Sequence, residues 1–356
     1  MTQISPIGLF RGRSFYEARR IAIMLLVLIA LVGLGYLLNP EGFNFFSKTN
    51  LQNNGRRVAL LSIYAMGGAL AIITAGIDLS VGSVIGLTGL LLPLLLMEWH
   101  IPRTEHLFPV WLALPLVLLV GAALGFFHGI LIAKCNLQPF IITLCGLLVY
   151  RGIARAITRD STKGFGASHE ALRNFAIGRL KDVVPLARPV PIIGDVPLAV
   201  FLMLAIAVAM GIFLHMTVWG RHLYALGQNE EAARHSGISV DRFKIVAYML
   251  SGLLAGVAGV LYALEINSVQ PSDAGKGYEL YGIAAAVLGG CSLRGGEGTV
   301  VGVVVGAIVL TVLHNLINLT NLSTFIEDAV IGAVILGMVT IDEVVKRRAA
   351  RRTTAP

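Results

Sequence analysis

Long apolar runs separated by short polar interruptions dominate this chain. Ten of them approach the roughly 20 residues that a helix needs to cross a bilayer: about 21–38, 58–75, 81–97, 109–133, 140–157, 196–217, 245–265, 279–290, 299–317 and 325–342. The pattern predicts an all-α fold, a polytopic transmembrane helical bundle of about 10 spans. Two stretches fit it poorly. The run 279–290 is too short to cross about 30 Å of hydrocarbon alone, which predicts a half-span or a span completed by polar neighbours. The run 140–157 carries Arg151 and Arg155 towards its end, which predicts that the span stops before them.

Composition changes the picture only by excluding alternatives. Hydrophobic residues make up 56% of the 356, charged residues 13%, and the mean hydropathy is +0.79. Soluble domains run at about 25% charged, so the chain belongs in a bilayer. Its net charge of +8 resides largely in basic clusters that flank apolar runs, and no nucleic acid is expected as a partner. Arg11, Arg13, Arg19 and Arg20 precede the first run, which is long enough to be retained as a span. Cys135, Cys145 and Cys291 form no close pair and read as buried thiols.

Charge also sets the expected orientation. Lys346, Arg347, Arg348, Arg351 and Arg352 match the arginines of the N-terminus, so the positive-inside rule predicts both termini cytoplasmic and an even number of spans. The expected organisation is a cytoplasmic segment 1–20, a membrane domain 21–342 and a basic cytoplasmic tail 343–356. Within the membrane domain, 158–195 forms an outer loop and 218–244 a cytoplasmic one. The outer loop is itself basic, with Arg159, Lys163, Arg173, Arg179, Lys181 and Arg188, but long loops translocate with little regard to charge.

The cytoplasmic loop contains a short helix with its own start and stop signals. Asn229 is a favourable N-cap, and Glu230 and Glu231 place negative charge in the first turn. Ala232 and Ala233 predict a slim face, Arg234 and His235 complement the last turn, and Gly237 suits the left-handed residue that ends a helix. A capped helix outside the bilayer is either a connector resting on the membrane surface or a docking element. Two alanines where an interfacial anchor uses Trp, Phe or Leu favour docking.

Inside the membrane, glycines recur every four residues at Gly121, Gly125 and Gly129, and again at Gly252 with Gly256 and Gly302 with Gly306, spacings that let helices approach closely. Two glycine-rich turns, 76–83 and 289–299, separate runs that stand too close together for a true loop. In the first, Asp78 or Ser80 caps the following helix, or Asp78 gates a pathway or binds a cation. The second lacks the lysine of a phosphate loop, so ATP hydrolysis is not expected of this chain. No HExxH or comparable cluster predicts an enzyme, a metal site or a cofactor. His128 stands alone in an apolar setting, whereas His314 has Asn315 and Asn318 beside it. A membrane amide such as Asn315 must pair with a neighbouring helix or with a polar ligand in transit.

Four segments in order, GIDLSVGSVIGLTG, QPFIITL from Gln138, GRHLYALGQNEEAARHSGISVDRFKIVAYMLSGLLAGVAGVLYA and ELYGIAAAVLGGCSLRGGEGTVVGVVVGA, resemble permease subunits of bacterial ribose-type ABC importers. The resemblance spans roughly residues 50–342. It implies a multi-pass protein of the bacterial inner membrane that moves a monosaccharide or similar small polar solute inward. It also implies three partners: cytoplasmic ABC ATPase subunits, a periplasmic sugar-binding protein and a second permease chain. By the same resemblance, Asn229, Glu230, Glu231, Ala232, Ala233, Arg234 and Gly237 form a helix that couples to the ATPase. Separately from it, Asp78, Phe140 and Asn315 are nominated for the translocation pathway. An ABC permease for branched-chain amino acids or nucleosides, and a secondary transporter, are the alternatives.

Overall fold

The computed structural model describes residues 6–320 apart from Glu41, Arg103 and 185–190, with scattered backbone positions between 329 and 340. Among the described residues fourteen helices follow in order: α1 (Pro6–Leu38), α2 (Lys48–Ile73), α3 (Val81–Met97), α4 (Val110–Lys134), α5 (Pro139–Thr158), α6 (Glu170–Ile177), α7 (Leu180–Val183), α8 (Pro191–Gly194), α9 (Leu198–Met216), α10 (Val218–Gln228), α11 (Glu230–His235), α12 (Val240–Ile266), α13 (Tyr278–Leu288) and α14 (Val300–Leu319). Within the same residues, β structure is confined to isolated bridges. Seven helices, α1, α2, α4, α5, α9, α12 and α14, are long and apolar enough to cross a membrane, and α3 and α13 are shorter apolar helices. The expected span 325–342 falls largely outside the described residues, and the tail 343–356 falls wholly outside them.

Three boundaries differ from the sequence pattern. Helix α1 begins at Pro6, so residues 6–20 are helical and run on into the first apolar stretch. Helix α2 begins ten residues before the apolar run, because the Ser47 hydroxyl accepts from the Asn50 amide at 3.4 Å and starts the helix in a polar turn. Helix α5 runs through both arginines to Thr158. The Arg155 guanidinium reaches Asp160 at 2.9 Å just beyond the helix end, so its stem lies along the helix while its charge leaves it.

Helices α2, α3, α12 and α14 form the interior. The apolar window of α2 is 83% buried, against 11% for α1 at the periphery. Glycines permit the closest packing. A β-carbon on Gly121 would lie 2.6 Å from the Gly252 carbonyl oxygen, and one on Gly129 would lie 2.6 Å from the Cα of Ile245 in α12. The four-residue glycine spacing of α4 is therefore a helix-packing surface against α12. Of the three thiols expected to be buried, only Cys291 is; Cys135 and Cys145 are exposed, at the end of α4 and on the outer side of α5.

The first glycine-rich turn lies inside the protein, and the second is part-buried, with Leu293, Arg294 and Glu297 exposed. Asp78, which precedes α3, is level with Ser251 near the middle of α12, and the turn after α13 packs against the end of α2. Irregular backbone is tolerated at such depth only where protein covers it. At the opposite end of the bundle from α11, residues 159–184 and 191–197 fold back onto the helix ends. Lys163 and Val269 exchange two backbone hydrogen bonds of 3.0 and 2.7 Å. The Asp195 carboxylate sits 2.8 Å from both Lys48 and Lys181, whose hydrogen bonds and charges hold its pKa down at about 2.

Candidate functional site

Helix α11 carries the expected caps. The Asn229 side chain accepts from the Ala232 amide at 2.9 Å, and Gly237 adopts φ +80° after the last turn, with the Ile238 amide reaching back to the Ala233 carbonyl at 3.1 Å. Its charges form a ring at this end of the bundle. Glu230 meets Lys244 at 2.7 Å and Arg234 at 3.4 Å, while Asp241 meets Arg234 at 3.3 Å and Lys134 at 3.1 Å. Glu231 makes no ion pair among the described residues and is exposed to solvent.

One expectation is corrected here. Ala233 is only 4% exposed and packs into the core, so the two alanines do not share an exposed face. The docking of α11 against the bundle sets its rotation and turns Ala233 inward. The face left open carries Glu231, Ala232, Arg234 and His235, and beside it lies a groove of about 680 Å³ that also borders Lys134 and Asn136 at the end of α4.

The preceding helix, α10, fastens this module to the interior. Tyr224 donates to the Gly298 carbonyl at 2.7 Å, and Gln228 donates to the Gly296 carbonyl at 3.1 Å. The Gly296 amide in turn donates to the Ile73 carbonyl at 2.9 Å, at the end of α2. Gly295 and Gly296 hold φ of +87° and +71°, a left-handed backbone that glycine adopts without strain. Helix α10 is thus bonded to the joint between α13 and α14 and, through Gly296, to the end of α2.

The residues nominated for the pathway do not come together. Asp78 is buried, and its carboxylate accepts from the Ser80 amide at 3.0 Å, the Ser80 hydroxyl at 2.6 Å and the Ser251 hydroxyl at 2.8 Å. The Ser80 hydroxyl also lies 3.3 Å from His128 Nδ1, and His128 Nε2 lies 2.7 Å from the Tyr150 hydroxyl. His128, expected to stand alone, is thus one link in a buried polar chain joining α3, α4, α5 and α12. Asn315 has found its partner on a neighbouring helix: it exchanges side-chain hydrogen bonds of 2.8 and 3.0 Å with Asn50. Phe140, at the start of α5, is half-exposed on the outside of the bundle.

A cavity of about 360 Å³ opens between α2, α12, α13 and α14, in the half of the bundle away from α11. Arg57, Tyr64, Tyr262, Glu265, Tyr278 and His314 contribute to its wall. Sequence reading missed it because these residues lie on four helices and form no local motif.

The chain matches, over residues 50–339, the family described as branched-chain amino acid transport system / permease component. It belongs to this permease family. Among curated relatives, the permease is 41% identical over 322 residues to the ribose import permease protein RbsC of Escherichia coli K12, which covers 90% of this chain and 92% of that one. It is 31% identical over 338 residues to the D-allose transport system permease protein AlsC of the same organism, covering 95% of both chains. It is likewise 31% identical over 351 residues to the autoinducer 2 import system permease protein LsrC of Yersinia enterocolitica, covering 96% and 90%. No solved structure matches the permease. It is a multi-pass membrane component of a transport system, not an enzyme.

Proposed function

We propose that the permease is the membrane subunit of an ABC importer for a monosaccharide or a similar small polar solute. It crosses the bacterial inner membrane ten times with both termini and α11 in the cytoplasm, and its partners are a second permease chain, ATPase subunits and a periplasmic sugar-binding protein. The relatives named for ribose, allose and autoinducer 2 support the cargo class. One structural observation carries the mechanism: the exposed α11 is tied through α10 to the glycine turn of residues 289–299 by two side-chain hydrogen bonds.

In this reading the ATPase grips α11 at Glu231, Ala232 and Arg234. ATP-driven closure of the ATPase pair moves α11 with α10, and α10 pulls on the joint between α13 and α14, shifting the permease between outward-open and inward-open packings. Asn229 and Gly237 keep α11 a preformed rigid unit, so binding loses little energy to ordering it. Asp78 and Asn315 act within this scheme by holding helices together, and Phe140 marks the outer face of α5 available to lipid or to the second chain.

The test is the double variant Glu231→Lys with Ala232→Trp, which changes only exposed positions of α11. It is expected to insert normally, to lose the co-purified ATPase and to import nothing; normal uptake overturns the coupling role. An uptake panel of D-ribose, D-allose and L-leucine with the wild-type transporter separates sugar from amino-acid cargo. Import driven by a proton or sodium gradient without ATP overturns the ABC reading.

A further inference from the structure

The cavity between α2, α12, α13 and α14 differs from the rest of the membrane interior. Tyr64 and Tyr278 stack with ring centroids 5.4 Å apart and planes within 13°, and Tyr262 meets Tyr278 edge-on at 5.9 Å. Arg57 and Glu265 bring charge to the same space, and Thr311 adds a buried hydroxyl from α14. A void walled by leucine stays dry and takes only apolar guests. A void of a few hundred cubic ångströms with aromatic walls and a few convergent polar groups is the usual form of a small-molecule site.

The chemistry of the wall selects among guests. Aromatic faces suit the C–H faces of a sugar ring, and tyrosine hydroxyls, a threonine hydroxyl and ionised side chains suit its hydroxyls. An unpaired carboxylate would favour the ammonium group of a zwitterionic amino acid. Glu265 instead is held by Arg56 at 3.3 Å, so its charge is already matched. The remaining formal charge at the wall is that of Arg57, whose N–H groups can also donate to neutral hydroxyls.

We propose that this cavity is a binding site for a neutral polyhydroxylated ring of monosaccharide size, formed within a single permease chain, at which cargo rests on its way through. This rests on the importer reading above and adds to it a location and a recognition chemistry. Residues Tyr262, Tyr278 and Thr311 are its specificity determinants: the tyrosine rings cover one face of the sugar and the hydroxyls bind its edge.

The experiment uses the whole transporter, permease with ATPase and binding protein, in proteoliposomes with D-ribose and D-allose as probes. Thr311→Leu narrows the cavity and removes a hydroxyl from its wall, and Tyr262→Phe removes one hydroxyl while keeping the ring. Uptake at saturating binding protein is expected to fall about tenfold for Thr311→Leu and about fivefold for Tyr262→Phe, the latter matching the loss of one hydrogen bond. ATP hydrolysis stimulated by loaded binding protein is expected to stay within about twofold of wild type, as it must if only cargo handling has changed. Unchanged uptake in both variants while the wild type imports an aldose overturns the site and leaves the importer reading standing. Parallel loss of uptake and stimulated hydrolysis in both variants also overturns the site, because it shows that these residues serve assembly. Import of L-leucine and of neither aldose by the wild type overturns the importer's cargo and the site together.

Discussion

The Ser251 hydroxyl donates to the Asp78 carboxylate across 2.8 Å in the interior of the bundle, joining α12 to the turn that precedes α3. Asp78 also receives the amide and hydroxyl of Ser80, so three donors converge on one buried acidic group. Removing that group by Asp78→Ala leaves these donors without their acceptor and is expected to cost about 2–4 kcal/mol, given about 1–3 kcal/mol for each buried polar group left unpaired and partial rearrangement around it. Asp78→Asn keeps an acceptor for Ser80, and the Ser251 hydroxyl can rotate to accept from the new amide. The asparagine variant is therefore expected to fold and to transport, and uptake measured with and without a proton gradient is expected to match wild type. Loss of uptake in folded Asp78→Asn would assign the carboxylate a role in ion coupling.

The reciprocal amide pair Asn50 and Asn315 predicts a different pattern. Each single change to leucine leaves one amide in an apolar setting, whereas the double change Asn50→Leu with Asn315→Leu removes both needs at once. Thermal unfolding in detergent is expected to show a coupling of about 0.6–1.7 kcal/mol, the range measured for hydrogen bonds between membrane helices. Additive effects would mean that the pair does not hold α2 to α14.

Loosening α10 should disconnect hydrolysis from transport. Tyr224→Phe with Gln228→Leu deletes the two side-chain hydrogen bonds to Gly298 and Gly296 without touching the exposed face of α11. The ATPase is expected to remain bound and active, while solute moved per ATP hydrolysed falls about fivefold or more. Measurement of both rates in the same proteoliposomes checks this, and an unchanged ratio would show that force reaches α13 and α14 by another route.

The segment around Asp195 should respond to acid in a narrow window. Because the Asp195 pKa is lowered to about 2 in the folded protein from an unfolded value of 3.8, the contribution of its ion pairs is complete above about pH 4 and is lost as pH falls towards 2. Pepsin is active throughout that window. Cleavage of residues 159–197 is expected to accelerate as pH drops from about 4 to about 2, and Asp195→Asn is expected to be cleaved readily already at about pH 4.5, above the titration of the native group. Equal cleavage of wild type and Asp195→Asn at that pH would refute the tether.

What could be read in advance followed from how local each signal is. The caps of α11 depend on residues three or four positions apart, so Asn229 and Gly237 were legible in the sequence. The glycine spacing of α4 was legible for the same reason, since one face of one helix carries it. The start of α2 was not, because an averaging window discards the polar turn that Ser47 caps. Neither was the inward rotation of Ala233, which depends on how α11 leans on the bundle. Asn315 announced that it required a partner, but only the fold could supply Asn50 from the other end of the chain. The tyrosine-walled cavity was least legible, since Tyr64, Tyr262 and Tyr278 have no common spacing and meet only when three helices converge.

Helices α3 and α13 stop short, and each adjoins a stretch of irregular backbone hydrogen-bonded to the bundle. A continuous helix resists bending because every residue along it is locked by the bonds of its neighbours. At these two interruptions that lock is already open, and side chains and glycine carbonyls have taken its place. Backbone there is freer to bend than within a helix, with one interruption beside the Asp78 cluster and the other bonded to α10. A motion that begins at the membrane surface therefore has two places to be absorbed, and the long helices between them can travel as rigid levers.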